Sequence, residues 1–578
     1  MNLFESFRRN REERPGEAAF LIANGDRSLP ITWRRFTDDI ETVAHLIRST
    51  LPGGAVIGLL GENSYEWMVA HAACVFGGAT VVPVEVALSA EEIAARLSFV
   101  GAKAFVYSSL YSDKARAVEK LVPGMETYGF GALETDRRID EAEKALRGGE
   151  RGVFSMPPPD AGRTSMIVFT SGTTSEPRGA ELCVGGLEAF ARFASATLPM
   201  RPGDRSLMLL PLHHIFGIAT AYAMLAAGVV LGVCPDFRRI FDAVRRFRAN
   251  FAFLVPALAD ILAAKISQYG EKAADVLDER LEWMLIGGAP MPQRAIDRIE
   301  ALGIKVLTGY GLTETTSLFS LMPAGESAKA GCAGKVPDAS SGVETKVSAD
   351  GELLIRGPNI LRGYFKMPDR TAQAIDRDGW FHTGDIGRID ARGMVWIDGR
   401  ASRTIVLSSG KKVAPEELEE KIYALPGVRE VVVGREDGEG NRKIVAEIYA
   451  SAGADEIARE IGKLNRTLPV FKRISRVAMR NTPFPRTSSG KISLALTDAG
   501  RRGGGKPPAG AKAKFGLLAF WVFLTFTGIA VSYISESIQS FFGIDIVALS
   551  GAGKCLAAVS MLVAATIGFR QFRARGGR

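Results

Sequence analysis

The residues Thr170–Gly179 read TSGTTSEPRG and follow the apolar run Met166–Phe169. Serine and threonine hydroxyls with glycine N–H groups, placed at the end of a strand, can wrap a polyphosphate. Arg178 adds a charge-assisted grip on phosphate oxygens. The chain contains no GxxxxGK[ST], so this is not the usual phosphate loop. A Ser/Thr-rich turn has the same composition, and the loop by itself does not separate the two.

Such a loop needs strands to position it. The stretch AVIGLLG (Ala55–Gly61) reads as a buried strand. NSYEWMVAHAACVFGG follows as a helix, with Asn63 or Ser64 as its N-cap, and TVVPV as the next strand. AKAFVYSS, FAFLVPA, WMLIGG and KVLTGYG repeat the pattern, which predicts α/β layers with parallel strands. From about Val343 the texture changes to short antiparallel pieces, GELLIRG and GMVWIDGR, and a further α/β segment runs from about Ser402 to Asp498.

A chain of 578 residues is too long for one core, and its composition is that of a folded protein. The net charge is +8, yet ten Lys/Arg and two acids lie after Asp498, so the first 498 residues sum to zero. A nucleic-acid binder carries its basic excess on folded domains, so nucleic acid is excluded as a partner. The five Cys form no CxxC pair or zinc spacing, which predicts free thiols in a reducing compartment. The first twenty residues lack the apolar run of a signal peptide.

The tail has its own logic. Residues 499–514 form a basic Gly/Pro linker, and Phe515–Ile534 carries no charge over the ~20 residues a helix needs to cross a bilayer. A second apolar run, Ile546–Phe569, contains only Lys554. Basic residues flank the two outer ends and the connector has only acids, so both flanks are expected in the cytoplasm. The expectation is a transmembrane hairpin; the alternative is a helical pair packed on the soluble part.

Seven more segments accompany the loop: PLHHIFG (Pro211–Gly217), GGAP (Gly287–Pro290), GYGLTET (Gly309–Thr315), GELLIRGPNILRGY (Gly351–Tyr364), DGWFHTGDIG (Asp378–Gly387), DGRASRTIVLSSGKKVAPEELE (Asp398–Glu419) and PRTSSGKIS (Pro485–Ser493). Taken together and in this order, they resemble the adenylate-forming, AMP-binding superfamily of acyl-CoA synthetases and fatty-acyl-AMP ligases. The resemblance covers nearly all of residues 1–498. It implies an α/β fold with a large multi-subdomain domain over 1–398, made of two α/β layers plus a small β-barrel-like part. A hinged, small α+β domain over 399–498 would follow. The implied activity is ATP-dependent formation of an acyl-AMP and then a thioester.

By this resemblance Thr170, Ser171, Gly172, Thr173, Thr174 and Arg178 would cradle the β- and γ-phosphates. Thr313 would touch the α-phosphate, and Glu314 would hold Mg²⁺, a hard ion suited to carboxylate oxygens. Tyr310, beside Gly311, would flank the adenine, with Gly288 and Ala289 opposite. Asp385 would accept from both ribose hydroxyls, with Arg400 assisting. Lys491 would bridge the acyl carboxylate and the α-phosphate. His214 and Phe216 would line the acyl pocket, Ser409 and Gly410 the thiol tunnel, and Arg403 would mark the hinge. Each residue has a plainer reading in isolation: Asp385 or Glu314 as a cap, Lys491 as a solvated side chain, His213 as structural. Ser175 stands where the family usually has Gly, Arg178 where it has Lys, and Leu494 near a usual Arg.

The segment PLHHIFGIATAYAML holds no carboxylate to pair with an ammonium, which disfavours an α-amino acid. The stretch GLTETTSLFSLM is apolar beyond Thr313 and Glu314, which suits a fatty or aryl acid. The expected thiol is that of CoA, with the phosphopantetheine of an acyl carrier protein as the alternative. A non-catalytic membrane scaffold or nucleotide sensor is the competing class.

Overall fold

The computed structural model describes residues 2–24, 27–130, 152–170, 178–234, 239–270, 280–338, 341–407, 411–438, 441–485 and 492. The expected run of buried strands forms two sheets. One has seven strands, with Val56–Leu60 in its middle between Thr80–Val84 and Ala104–Ser108, all three parallel. Their residues are apolar on both faces, as a sheet covered by helices on each side requires. The second sheet starts with Phe251–Leu254, Trp283–Ile286 and Lys305–Leu312, again parallel.

Two features depart from the sequence expectation. In the second sheet antiparallel pairing begins at Ser317–Leu321, well before Val343, because that strand folds straight back on Lys305–Leu312. The antiparallel strands continue the strand order of the second sheet to nine strands, ending at Glu352–Arg356 and Glu344–Val347, and join the parallel part through the shared strand Lys305–Leu312. A four-stranded sheet was also unforeseen: Arg27–Thr32 and Ala18–Asn24 pair with the distant Val230–Val233 and Arg205–Met208.

Helices Leu3–Glu13, Trp33–Thr50, Tyr65–Gly77 and Ile215–Ala226 meet in one aromatic core. The Phe7 ring lies 5.3 Å from Phe76 and 5.8 Å from Trp33, edge-on to both. Burying each such ring contributes about 2–3 kcal/mol. Ser64 is the N-cap of helix Tyr65–Gly77, accepting from Trp67 N at 3.1 Å. Asn63 does something else. Its amide donates to the carbonyls of Met208 (3.0 Å) and Leu210 (2.9 Å), and its oxygen accepts from Leu212 N at 2.9 Å. It thereby fixes the segment that leads into PLHHIFG.

Residues 405–480 build their own core. Strand Val428–Gly438 pairs antiparallel with Asn441–Ala450, which runs parallel to Arg476–Arg480. Helices Pro415–Tyr423 and Ala454–Thr467 bury Leu418, Ile422, Ile457 and Ile461 against this sheet. Among the described residues no helix is long and apolar enough to cross a membrane. Both apolar runs of the tail lie outside the described residues.

One core residue makes stability depend on pH. His71 is fully buried, with Nδ1 2.9 Å from the Tyr222 hydroxyl and its ring stacked on Trp67. Burial pushes its imidazole down from 6.5 to about 3. Between those values the unfolded chain binds a proton at this site and the folded chain does not. Stability therefore falls as pH drops through that window, by about 1.4 kcal/mol per pH unit. Urea midpoints measured from pH 7 to 4.5 should fall less steeply for His71→Gln than for the wild type; an unchanged slope contradicts this.

Candidate active site

Asp385 lies on strand Phe381–Ile389 and is 2 % exposed. The register places it opposite Arg400 on the neighbouring strand, and Arg400 Nε sits 2.7 Å from Asp385 Oδ1. The other carboxylate oxygen accepts from the hydroxyl of Tyr310, in the antiparallel-paired second half of strand Lys305–Leu312. Thr383 Oγ1 accepts from the Asp385 N–H at 3.0 Å. A buried carboxylate costs several kcal/mol unless paired, and these partners supply the pairing. Burial first, and then Asp385, push the Tyr310 phenol well up, so it stays a donor. The Tyr310 ring packs edge-on against Phe319 at 5.0 Å. Three sequence-predicted nucleotide residues, Tyr310, Asp385 and Arg400, thus meet in one cluster.

Beside it the chain turns sharply. Gly311 tolerates no side chain, since a Cβ there would lie 1.8 Å from the Ser317 carbonyl oxygen. Thr313–Thr315 form one 3₁₀ turn, and Thr316 and Ser317 follow at φ 48° and 84°. Such backbone costs of order 1–3 kcal/mol per residue and persists where neighbours over-determine it. Here Thr315 Oγ1 donates to Ser317 O (2.7 Å), and Thr316 Oγ1 to Asn359 O (2.8 Å). The turn holds Glu314 facing Tyr364, whose hydroxyl donates to Glu314 Oε1 at 2.9 Å.

Tyr364 closes the GELLIRGPNILRGY segment, where the sequence reading assigned it no role. Its strand pairs with Arg178–Cys183, which brings the Arg178 guanidinium to 6.0 Å from the Tyr364 ring. Burial and the Glu314 charge raise the Tyr364 phenol, which keeps its proton. Glu314 and Arg178 therefore flank one tyrosine. Thr170 and Arg178 are directly opposed in an antiparallel pair, so the hairpin closes on the loop that the sequence singles out. Ser171, Gly172, Thr173, Thr174 and Ser175 lie outside the described residues, as do Ser409, Gly410, Lys491 and Leu494.

Among the described residues no group of three or more His, Cys, Asp or Glu could hold a metal. A lone carboxylate such as Glu314 fits Mg²⁺ shared with phosphate oxygens, the usual mode for that ion. Gly288 has φ 82°, a conformation that favours glycine. A Cβ on its neighbour Gly287 would lie 3.1 Å from Phe216 Cζ, so the expected acyl wall abuts the expected adenine strand. Ala289 follows, half-buried. His214 caps helix Ile215–Ala226 and its ring is 4.4 Å from His213. Burial lowers the His213 imidazole to about 3, so His213 is neutral. Arg403, the expected hinge, is held inside the small domain by Glu416 (2.8 Å) and Glu419 (2.6 Å).

Residues 7–365 match the AMP-binding enzyme family, and residues 402–498 match the AMP-binding enzyme C-terminal domain. The chain is an AMP-binding enzyme. It is 30 % identical over 490 residues to 4-coumarate–CoA ligase 2 of Oryza sativa subsp. japonica, covering 78 % of this chain and 84 % of that one. It is 29 % identical to the long-chain-fatty-acid–CoA ligase FadD13 of Mycobacterium tuberculosis, covering 76 % and 86 %. It is 27 % identical to an indoleacetate–CoA ligase of Aromatoleum aromaticum, covering 85 % and 96 %. ATP-bound MatB from Rhodopseudomonas palustris shares the fold at TM-score 0.73 and 23 % identity, with 87 % of this chain and 99 % of MatB covered. This AMP-binding enzyme is an AMP-forming acid–thiol ligase of the acyl- or aryl-CoA type.

The Glu314–Tyr364 contact generates a prediction. Tyr364→Phe removes a hydrogen bond to a charged group, worth about 1.5–3 kcal/mol. The variant should fold with the wild-type melting temperature within a few degrees. Its apparent Mg²⁺ requirement for pyrophosphate release should change at least ~5-fold. An unaltered Mg²⁺ titration contradicts the assignment of Tyr364 to the Glu314 carboxylate.

Proposed function

We propose that the protein converts an apolar aryl or fatty carboxylic acid to its acyl-AMP and then to its CoA thioester. The observation that carries this is the Tyr310–Asp385–Arg400 cluster, with the Glu314–Tyr364–Arg178 set and a wall holding His214 and Phe216 but no carboxylate. Relatives named for coumarate, indoleacetate and long-chain fatty acids support an acid of this class.

In the first step a carboxylate oxygen forms a bond to the α-phosphorus of ATP, and the bond to pyrophosphate breaks. Both reactants are anions, so positive charge must stand between them. Lys491 is proposed for the carboxylate and α-phosphate, and Arg178 for the outer phosphates. Asp385 would orient the ribose through its two oxygens, because Tyr310 and Arg400 fix its plane. Mg²⁺, when bound, neutralises phosphate charge, and Glu314 is its proposed ligand, with Thr313 beside the α-phosphate. In the second step a thiolate sulfur bonds to the acyl carbon and AMP leaves. The loop containing Ser409 and Gly410 is proposed at the thiol. A carrier-protein thiol would use the same nucleotide residues.

The apolar runs Phe515–Ile534 and Ile546–Phe569, with basic flanks at their two outer ends and an acidic connector between them, support a membrane hairpin with the catalytic domains on the cytoplasmic side. It would hold the cleft where lipophilic acids concentrate.

Pyrophosphate exchange across a panel of acids tests the reading. Exchange is expected with aryl or fatty acids and not with α-amino acids; exchange with amino acids alone contradicts it. Supplying CoA or a carrier protein to the product then identifies the thiol. Lys491→Ala should lower acyl-AMP formation by ~10²–10³ while sparing thioester formation from supplied acyl-AMP. Equal loss of both steps contradicts the division of labour.

A further inference from the structure

Among the described residues, two separate connections between the small domain and the large one stand out. The first is the chain itself at Asp398–Arg403. Within it Gly399 has φ 154°, and a Cβ there would lie 2.5 Å from Glu416 Oε2. Arg403 is clamped by Glu416 and Glu419, and Glu419 also accepts from Val433 N at 2.7 Å. Arg403 therefore travels with the small domain, and any rotation must be taken up before it.

The second connection lies elsewhere. Helix Gln293–Glu300 of the large domain buries Ala295, Ile296 and Ile299 and turns Arg294 outward. The Arg294 guanidinium carbon sits 3.8 Å from the centroid of the Tyr423 ring, at the end of helix Pro415–Tyr423. Arg294 Nη2 also donates to the Val428 carbonyl at 3.2 Å. One planar cation thus grips the small domain by a ring face and a backbone oxygen.

A body attached only at a flexible segment is free to rotate. A second attachment away from that segment fixes its angle, and rotation has to break it. We propose that Arg294 is a positioning residue that, with Tyr423, latches the small domain in one of the two orientations the two half-reactions require. This rests on the two-step reading above. The latch stabilises one orientation only, so it sets the ratio of the two half-reaction rates rather than the chemistry of either. A cation–π contact at an exposed site is worth about 0.5–1 kcal/mol, a ratio change of about 2- to 5-fold.

The test compares wild type, Arg294→Ala, Tyr423→Ala, Tyr423→Phe and the double alanine variant. Acyl-AMP formation and thioester formation from supplied acyl-AMP are each measured in single turnover. Arg294→Ala and Tyr423→Ala should shift the ratio of the two rates about 2- to 5-fold in the same sense. Tyr423→Phe should keep it, and the double variant should go no further than Arg294→Ala, which loses both the ring and the Val428 contact. An unchanged ratio, with both rates intact or both reduced alike, overturns the latch. Hydrogen exchange of the full protein reads the latch without activity. Amides of 400–404 and 421–430 should exchange faster in Arg294→Ala, and identical exchange also overturns it. A wild type inactive in both steps, with exchange altered as expected, sinks the functional reading and leaves the latch standing.

Discussion

A carboxylate with 2 % of its residue exposed has to be paired, and the way Asp385 is paired organises the rest of the molecule. One partner, Tyr310, lies on strand Lys305–Leu312, which pairs parallel through Lys305–Thr308 and antiparallel from Gly309 on. The other, Arg400, is the last residue of an antiparallel strand and the first step toward the small domain. The carboxylate thus ties the α/β layer, the antiparallel layer and the hinge at one point. Its two oxygens are held in a fixed plane, which is the condition for offering them to a pair of vicinal hydroxyls.

The neighbouring turn follows from the same crowding. Strand Ser317–Leu321 folds back so tightly on Lys305–Leu312 that Gly311 has no room for a Cβ, and two residues take positive φ. That strained backbone fixes Glu314 against Tyr364, and Tyr364 against Arg178. Site rigidity here comes from packed strands, while orientation of the small domain depends on a few contacts near the surface. This division suits an enzyme that needs one stable nucleotide cleft and two arrangements of the groups that close it.

Much of this was legible in the sequence, for physical reasons. Buried parallel strands announce themselves as short apolar runs, and those at Val56, Thr80, Ala104, Phe251, Trp283 and Lys305 are where the runs place them. Tyr310, Asp385 and Arg400 stand in recognisable segments, and the strand register brings them together. Tyr364 was missed because its partner is 50 residues away in sequence and a tyrosine at a strand end carries no local signal. Of the two N-cap candidates, Asn63 and Ser64, Ser64 takes the position, and the Asn63 amide is used across 145 residues or more. The four-stranded sheet was invisible for the same reason, since its halves lie about two hundred residues apart. The early start of antiparallel pairing hid behind the catalytic-looking GYGLTET, where no turn signal other than glycine marks the reversal.

Asp385, held by Tyr310 and Arg400, is the residue proposed to accept from the two ribose hydroxyls. Calorimetry with ATP and with 2′,3′-dideoxy-ATP, on the wild type and on Asp385→Ala, tests it most directly. Two hydrogen bonds to a charged acceptor imply that the wild type prefers ATP by at least ~10-fold, and that the variant binds both nucleotides equally. A variant that keeps the full preference for ATP would contradict the account.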